Sequence, residues 1–130
     1  MRQTLRTILL FVASLFMGFS AIVNAIISVP HLRDDMEEIN VRPTLLGAVM
    51  LGLHFGTVAM WALTFVVLAA AMKSLHSPIV ERRPLLIIAL AYIGFGVAAL
   101  IASKSHHTLG YVLIGLLIAG AIAIPSPRQS

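Results

Sequence analysis

His54 is the side chain whose type and position in this sequence could support ligand chemistry. It lies within residues 44–72, a run of 29 residues without a formal charge. An ionisable side chain inside a membrane span indicates a functional site by default, and a neutral imidazole is a common metal ligand. One interpretation is therefore that His54 binds haem or a chlorophyll-type pigment, or contacts a quinone or another hydrophobic ligand.

The surroundings of His54 also allow a structural interpretation. Gly52 and Gly56 flank it in sequence, but they lie roughly 160° away around a helix and do not clear space on its own face. A haem held by two histidines would need a second buried histidine, which only a second copy of the chain could supply. The alternative is a hydrogen bond from the ring to Asn24, a serine or a backbone carbonyl. On balance, no resident cofactor is predicted.

Polar side chains of the first apolar run form a second candidate. Ser20, Asn24 and Ser28 recur every fourth residue, so a helix places them on one face. Small polar groups in membrane helices usually face other helices and form hydrogen bonds there. We therefore predict an interhelical contact. The weaker alternative is a small transporter or channel with a polar path lined by Ser20, Asn24 and His54.

Histidines and acids between the apolar runs form a third group. Imidazole and carboxylate together can bind zinc, but this spacing fits no zinc pattern. We predict a solvated surface whose acids pair with nearby basic residues, and no metal site. The group comprises His31, Asp34, Asp35, Glu38, His106 and His107.

The composition requires a membrane to hold these elements. Of the 130 residues, 59% are hydrophobic and only 11% are charged, whereas soluble domains average about 25% charged. Lipid can solvate so much apolar surface and water cannot. The absence of cysteine excludes disulfides and thiol chemistry. The basic residues lie at the ends of apolar runs and form no single patch, so no nucleic-acid partner is expected.

Four apolar runs are predicted to span the bilayer, over residues 7–29, 44–72, 84–103 and 109–124. The first run resembles a signal peptide but is about twice the usual length, so we predict that it is retained. It ends before Pro30, while Pro43 and Pro84 suit the first turns of the next spans. The short connections favour an all-α, up-down-up-down bundle in a single domain, residues 1–130.

Small residues recur at helical spacing on three of the spans. They leave helix faces nearly free of side chains, where another backbone can approach closely. The predicted packing residues are Ala48, Gly52, Gly56, Gly94, Ala98, Gly115 and Ala119.

The basic residues are distributed unequally between the two sides. One side would receive Arg2, Arg6, Lys73, Arg82, Arg83 and Arg128, and the other Arg33, Arg42 and Lys104. The positive-inside rule then predicts cytoplasmic termini, in the inner membrane if the protein is bacterial.

None of the predicted spans contains Asp, Glu, Lys or Arg that could drive ion coupling or acid–base catalysis. We therefore expect no enzyme. The leading hypothesis is an accessory or structural membrane protein that packs within a larger membrane complex or with copies of itself. A protein that binds a pigment, a quinone or another hydrophobic ligand at His54 is the alternative.

Overall fold

The computed structural model describes residues 2–104 and 106–125, without the side chains of Ser103 and His107. Over this part of the chain the fold is all-helical and contains no strand. The elements are α1 (Arg2–Val23), a π-helical turn (Asn24–Ser28), α2 (Val29–Glu38), α3 (Pro43–His76), α4 (Arg82–Ser103), a 3₁₀ turn (His106–Thr108) and α5 (Leu109–Ala123).

Within the described residues, three helical segments are long and apolar enough to cross a membrane: Arg2–Glu38, Pro43–His76 and Arg82–Ala102. At 1.5 Å per residue, α3 is about 50 Å long and exceeds a hydrocarbon core of about 30 Å. Helix α5 is also apolar but has only 15 residues, or about 22 Å. These lengths and compositions support an integral membrane location.

The first helical segment continues through Pro30, where the sequence suggested that it would end. Proline lacks the N–H group for an i→i−4 bond, and its ring crowds the carbonyl four residues earlier. The turn Asn24–Ser28 is wider than an α-helical turn, and the Val29 N–H donates to the Asn24 carbonyl five residues back. This local widening accommodates Pro30, so the chain between the first two predicted spans is helical up to Glu38.

Asn40 ends α2 by a left-handed turn. Its φ is 57°, and its N–H donates to the Glu37 carbonyl at 3.1 Å. The next N–H, of Val41, donates to the Met36 carbonyl at 3.1 Å. This pair of bonds is a Schellman motif, for which asparagine is suited because it tolerates positive φ. The chain is thereby released from α2 before Pro43 begins α3.

The chain forms two compact units. The terminal unit comprises residues 2–16 and 65–125, apart from the undescribed residue 105, and the middle unit comprises residues 17–64. The buried apolar side chains of the terminal unit come from all four of its helices. The largest are Leu10, Val67, Leu85, Ile114 and Ile118.

Two glycines bring α4 and α5 of the terminal unit into backbone contact. A Cβ on Gly115 would lie 2.8 Å from the Ala89 carbonyl oxygen. A Cβ on Gly96 would lie 2.9 Å from the Val112 backbone nitrogen. Both distances are below normal van der Waals contact, so only glycine fits at these positions. The α4–α5 hairpin is thus held by close approach of its backbones.

Candidate functional site

His54 lies on the outside of α3, with its side chain exposed. Among the described residues, no hydrogen bond or ion pair involves its ring. The described residues therefore show no counterpart to the predicted structural hydrogen bond of His54. An exposed, polar ring on an apolar helix is available to something outside the chain, whether lipid, ligand or protein.

Asn24 bonds to Thr57 and not to His54. Its side-chain amide donates to Thr57 Oγ1 at 2.8 Å, and Thr57 Oγ1 donates to the Leu53 carbonyl at 3.2 Å. Both residues are half-buried and belong to the middle unit. Asn24 is also the first residue of the π-helical turn. The hydrogen bond thus joins the widened part of the first helical segment to α3.

Thr57→Val should lower the free energy of unfolding by about 0.6 kcal/mol, with an upper bound of about 1.7 kcal/mol. The substitution keeps the shape of the side chain but leaves the Asn24 amide without its acceptor. Equilibrium unfolding in detergent micelles measures the effect. Thr44→Val, at an exposed position of the same helix, is the control. Equal stabilities of the two variants would contradict a stabilising Asn24–Thr57 bond.

The other two polar residues of the predicted face lie differently from Asn24. Ser20 is half-buried and Ser28 is exposed. Gly18, in the same helical segment, forms a contact within the middle unit that sequence reasoning missed. A Cβ on Gly18 would lie 3.7 Å from Thr64 Cγ2 and 3.9 Å from the Trp61 ring. Ser14 lies four positions before Gly18, so the spacing of small residues contained a signal for this contact that the predicted rows do not include.

The row Ala48, Gly52 and Gly56 is left open by the rest of the chain. Ala48 and Gly52 are exposed and Gly56 is half-buried. No described atom lies within 4 Å of a Cβ added at either glycine. The predicted close approach of another backbone therefore does not occur at these glycines within the described chain, and it stays a prediction for contact with another molecule.

The predicted rows of α4 and α5 divide between open and packed positions. Gly94 and Ala98 are exposed, with nothing within 4 Å of a Cβ on Gly94. Gly115 lies at the backbone contact with α4, and Ala119 is half-buried. Gly96, two positions from Gly94, makes the other close contact, and the spacing of small residues did not single it out. Helix α4 carries small residues on several faces, so spacing alone does not identify the packed one.

Helix ends meet at one end of the terminal unit through a set of polar contacts. Thr7 Oγ1 and Ser74 Oγ are 2.7 Å apart, and both residues are buried. The Gln3 side-chain amide donates to the Ser74 carbonyl at 2.7 Å. These contacts join the start of α1 to the end of α3. Each partner is a single polar residue at the edge of an apolar run, which in sequence cannot be told from a residue facing headgroups.

Arg6 completes this end of the terminal unit. It is only 3% exposed, and its guanidinium donates to the Pro78 and Ile124 carbonyls, each at 2.7 Å. Arg82 donates to the same Ile124 carbonyl at 3.4 Å. The two arginines therefore share an acceptor at the end of α5. We expected Arg6 only to contribute to the charge asymmetry, and nothing in the sequence indicated its burial.

The acidic side chains of α2 contact basic side chains one turn away on the same helix. His31 lies 3.7 Å from Asp35, and Arg33 Nε donates to Glu37 Oε1 at 3.1 Å, all with exposed side chains. In the described part of the chain, no group of three or more histidine, cysteine or acidic side chains is placed to hold a metal ion. The side chain of His107 lies outside the described residues, as does Arg128 of the predicted basic side.

No family model, curated protein or solved structure matches this chain.

Proposed function

We propose that this chain is a non-enzymatic integral membrane protein that packs against other membrane subunits or copies of itself. The observation that carries this proposal is the open row of Ala48, Gly52 and Gly56 on α3. Glycine inside a helix costs about 1 kcal/mol relative to alanine. Small residues in a membrane helix offset this cost when another backbone packs against them. Since no described part of this chain does so, the row is free to receive a helix of another chain.

The proposed topology has four spans in an up-down-up-down bundle, with α5 as the short fourth span. The contacts at one end of the terminal unit support it. There the start of α1, the end of α3, the start of α4 and the end of α5 are joined through Gln3, Arg6 and Arg82. Four antiparallel crossings bring this set of ends to one side. Helix α5 carries no charged residue, so a crossing would bury no charge.

In the proposed orientation, the protein lies in a bacterial inner membrane and both of its termini face the cytoplasm. The end of the terminal unit that contains Arg6 and Arg82 also holds Arg2, Lys73 and Arg83. Basic residues next to spans are retained on the cytoplasmic side. Accessibility of cysteines introduced singly at exposed Arg2 and Arg42 to a membrane-impermeant reagent would test the orientation.

Substitution of the glycine row tests the packing proposal. Gly52→Ile combined with Gly56→Ile should weaken assembly about 5- to 150-fold, since forcing large side chains into a packed contact costs about 1–3 kcal/mol. The measurement is the oligomeric state and the set of co-purified subunits after extraction in mild detergent. The matched control is Gly47→Ile, which also has nothing within 4 Å and faces away from the row. A wild-type chain that is monomeric and free of other subunits would refute the proposal.

Ligand binding at His54 is the second candidate function, because the ring is exposed on α3 and makes no hydrogen bond within the described chain. Haem, a chlorophyll-type pigment or a quinone would bind against this apolar helix, with the imidazole as axial ligand or hydrogen-bond partner.

An absorption spectrum of the gently extracted protein tests this second function. A tetrapyrrole would give a visible band that His54→Ala removes, and a quinone would be found by extraction of the same samples. His76→Ala is the control, because His76 lies in the last turn of α3 and bonds to the Met72 carbonyl. A spectrum and an extract without chromophore or quinone in the wild-type protein would exclude these ligands.

A further inference from the structure

The arginine pair, Arg6 and Arg82, carries positive charge that no described acid balances. Glu81 is the acid nearest in sequence, and its carboxylate lies 3.9 Å from Lys73, with both side chains exposed. Among the described residues, no salt bridge involves either arginine. A buried guanidinium is stable only when its charge is compensated. The Pro78 and Ile124 carbonyls offer partial charges, which accounts for part of that compensation.

The two arginines differ in how tightly they are held. Arg6 is buried and fixed by two short hydrogen bonds, so its position is set by the fold. Arg82 is exposed, and its bond to the Ile124 carbonyl is long. A guanidinium has five N–H donors in a planar fork, so Arg82 retains donors that can turn toward an oxyanion. The pair thus combines a fixed cation with an adjustable one.

Beside the arginine pair lies a cavity of about 10 Å³, which is roughly the space of one water molecule. Its remaining lining is apolar and includes Leu10, Leu85 and Ile122. A phosphate group is too large to enter it. An anion would therefore contact the exposed Arg82 from outside the cavity and would lie next to apolar side chains.

We propose that the arginine pair binds the phosphate of an anionic membrane lipid. The exposed apolar residues next to the pair favour lipid over free phosphate. Leu5 and Ile8 flank Arg6 along α1, and Leu86 and Ile87 follow Arg82 by about one turn, all more than 40% exposed. A lipid would place its phosphate on the exposed Arg82 guanidinium, with the buried charge of Arg6 next to it, and its acyl chains along these apolar side chains. Basic pockets between spans commonly bind anionic headgroups in this way.

This site rests on the membrane location and not on the proposed accessory role. The purified, delipidated full chain is titrated with phosphatidylglycerol, with zwitterionic phosphatidylcholine and with inorganic phosphate. Thermal stability in detergent and the lipid retained in native mass spectrometry are the two measurements. Phosphatidylglycerol should stabilise the protein and stay bound, whereas the other two should do neither.

Arg82→Gln should raise the phosphatidylglycerol concentration that gives half of the stabilisation by about fivefold, as expected for loss of about one basic contact. Arg82→Lys keeps the charge and should retain most of the affinity. Arg42→Gln, which removes an exposed cation from the middle unit, should leave the titration unchanged. Using Arg82 rather than Arg6 avoids a change to the buried hydrogen bonds.

Three results would overturn this assignment. The first is equal stabilisation by phosphatidylcholine, which would indicate no need for a net anionic headgroup. The second is equal stabilisation by inorganic phosphate, which would indicate a free-anion site. The third is an unchanged titration in Arg82→Gln. A monomeric chain without partner subunits would refute the accessory role but would leave this titration as it stands.

Discussion

Gly115→Val is expected to lower the free energy of unfolding by about 1–3 kcal/mol, the usual range for forcing a larger side chain into a packed interior. A Cβ at this position would overlap the Ile93 side chain and lie 2.8 Å from the Ala89 carbonyl oxygen. The carbonyl belongs to the backbone of α4 and cannot rotate away. The two helices must therefore separate, which also loosens the neighbouring contact at Gly96.

Gly110→Val separates this steric effect from the change in helix propensity. Gly110 lies in the same helix, is exposed, and has nothing within 4 Å of an added Cβ. The comparison uses the temperature at which each variant loses its monodisperse peak in size-exclusion chromatography in detergent. If Gly115→Val were as stable as Gly110→Val, this result would contradict the close backbone contact between α4 and α5 at Gly115.

The apolar character and helical nature of the chain could be predicted from the sequence because they depend on composition and length. Uncharged runs near residues 7–29, 44–72 and 84–103 fall within the three helical segments that are long enough to span a membrane. The fourth run coincides with α5, which is helical and apolar but shorter. Charged residues cannot be hidden in lipid, so their absence over 20 residues is a strong signal.

The path of the chain at Pro30 could not be predicted from the same signals. Proline usually ends or kinks a helix, and the acidic residues that follow are typical of a surface loop. In the π-helical turn before Pro30, the Val29 N–H bonds to the carbonyl five residues back instead of four. This change in backbone hydrogen bonding depends on several residues together. The hydrogen bond from Asn24 to Thr57 lies at the start of this turn. The sequence indicated that Asn24 would meet another helix, but not which residue it would meet.

The least predictable feature was which face of each helix packs against the rest of the chain. In water, the buried face of a helix is more apolar than the rest, whereas lipid tails are as apolar as a protein core. Helix α4 is apolar on all sides, so Gly94 and Gly96 look equivalent in sequence. The structure packs Gly96 and leaves Gly94 open. For the same reason, the position of His54 in an uncharged run did not reveal that its ring is exposed.

Arg6 shows how a charge that sets orientation can also stabilise the fold. A basic residue before an apolar run is typical of a cytoplasmic flank. Here the guanidinium also satisfies the Pro78 and Ile124 carbonyls, the second of which lies at the end of α5. Helix C-terminal carbonyls carry partial negative charge, which favours a cation at this place. Arg6 thus connects the start of α1, the α3–α4 connection and the end of α5.

Arg6→Gln should lower the free energy of unfolding by about 1–3 kcal/mol, because one shorter amide cannot reach both carbonyls and leaves a partly buried hydrogen bond unmade. Relief of the buried charge opposes this loss, but the charge already has two short, charge-assisted hydrogen bonds, and the loss of at least one of them should dominate. Arg2→Gln removes a cation one turn earlier, at an exposed position, and should change stability by less than about 0.5 kcal/mol. Unfolding in detergent without added lipid gives both values. An Arg6→Gln variant as stable as Arg2→Gln would mean that the hydrogen bonds of Arg6 do not stabilise this end of the terminal unit.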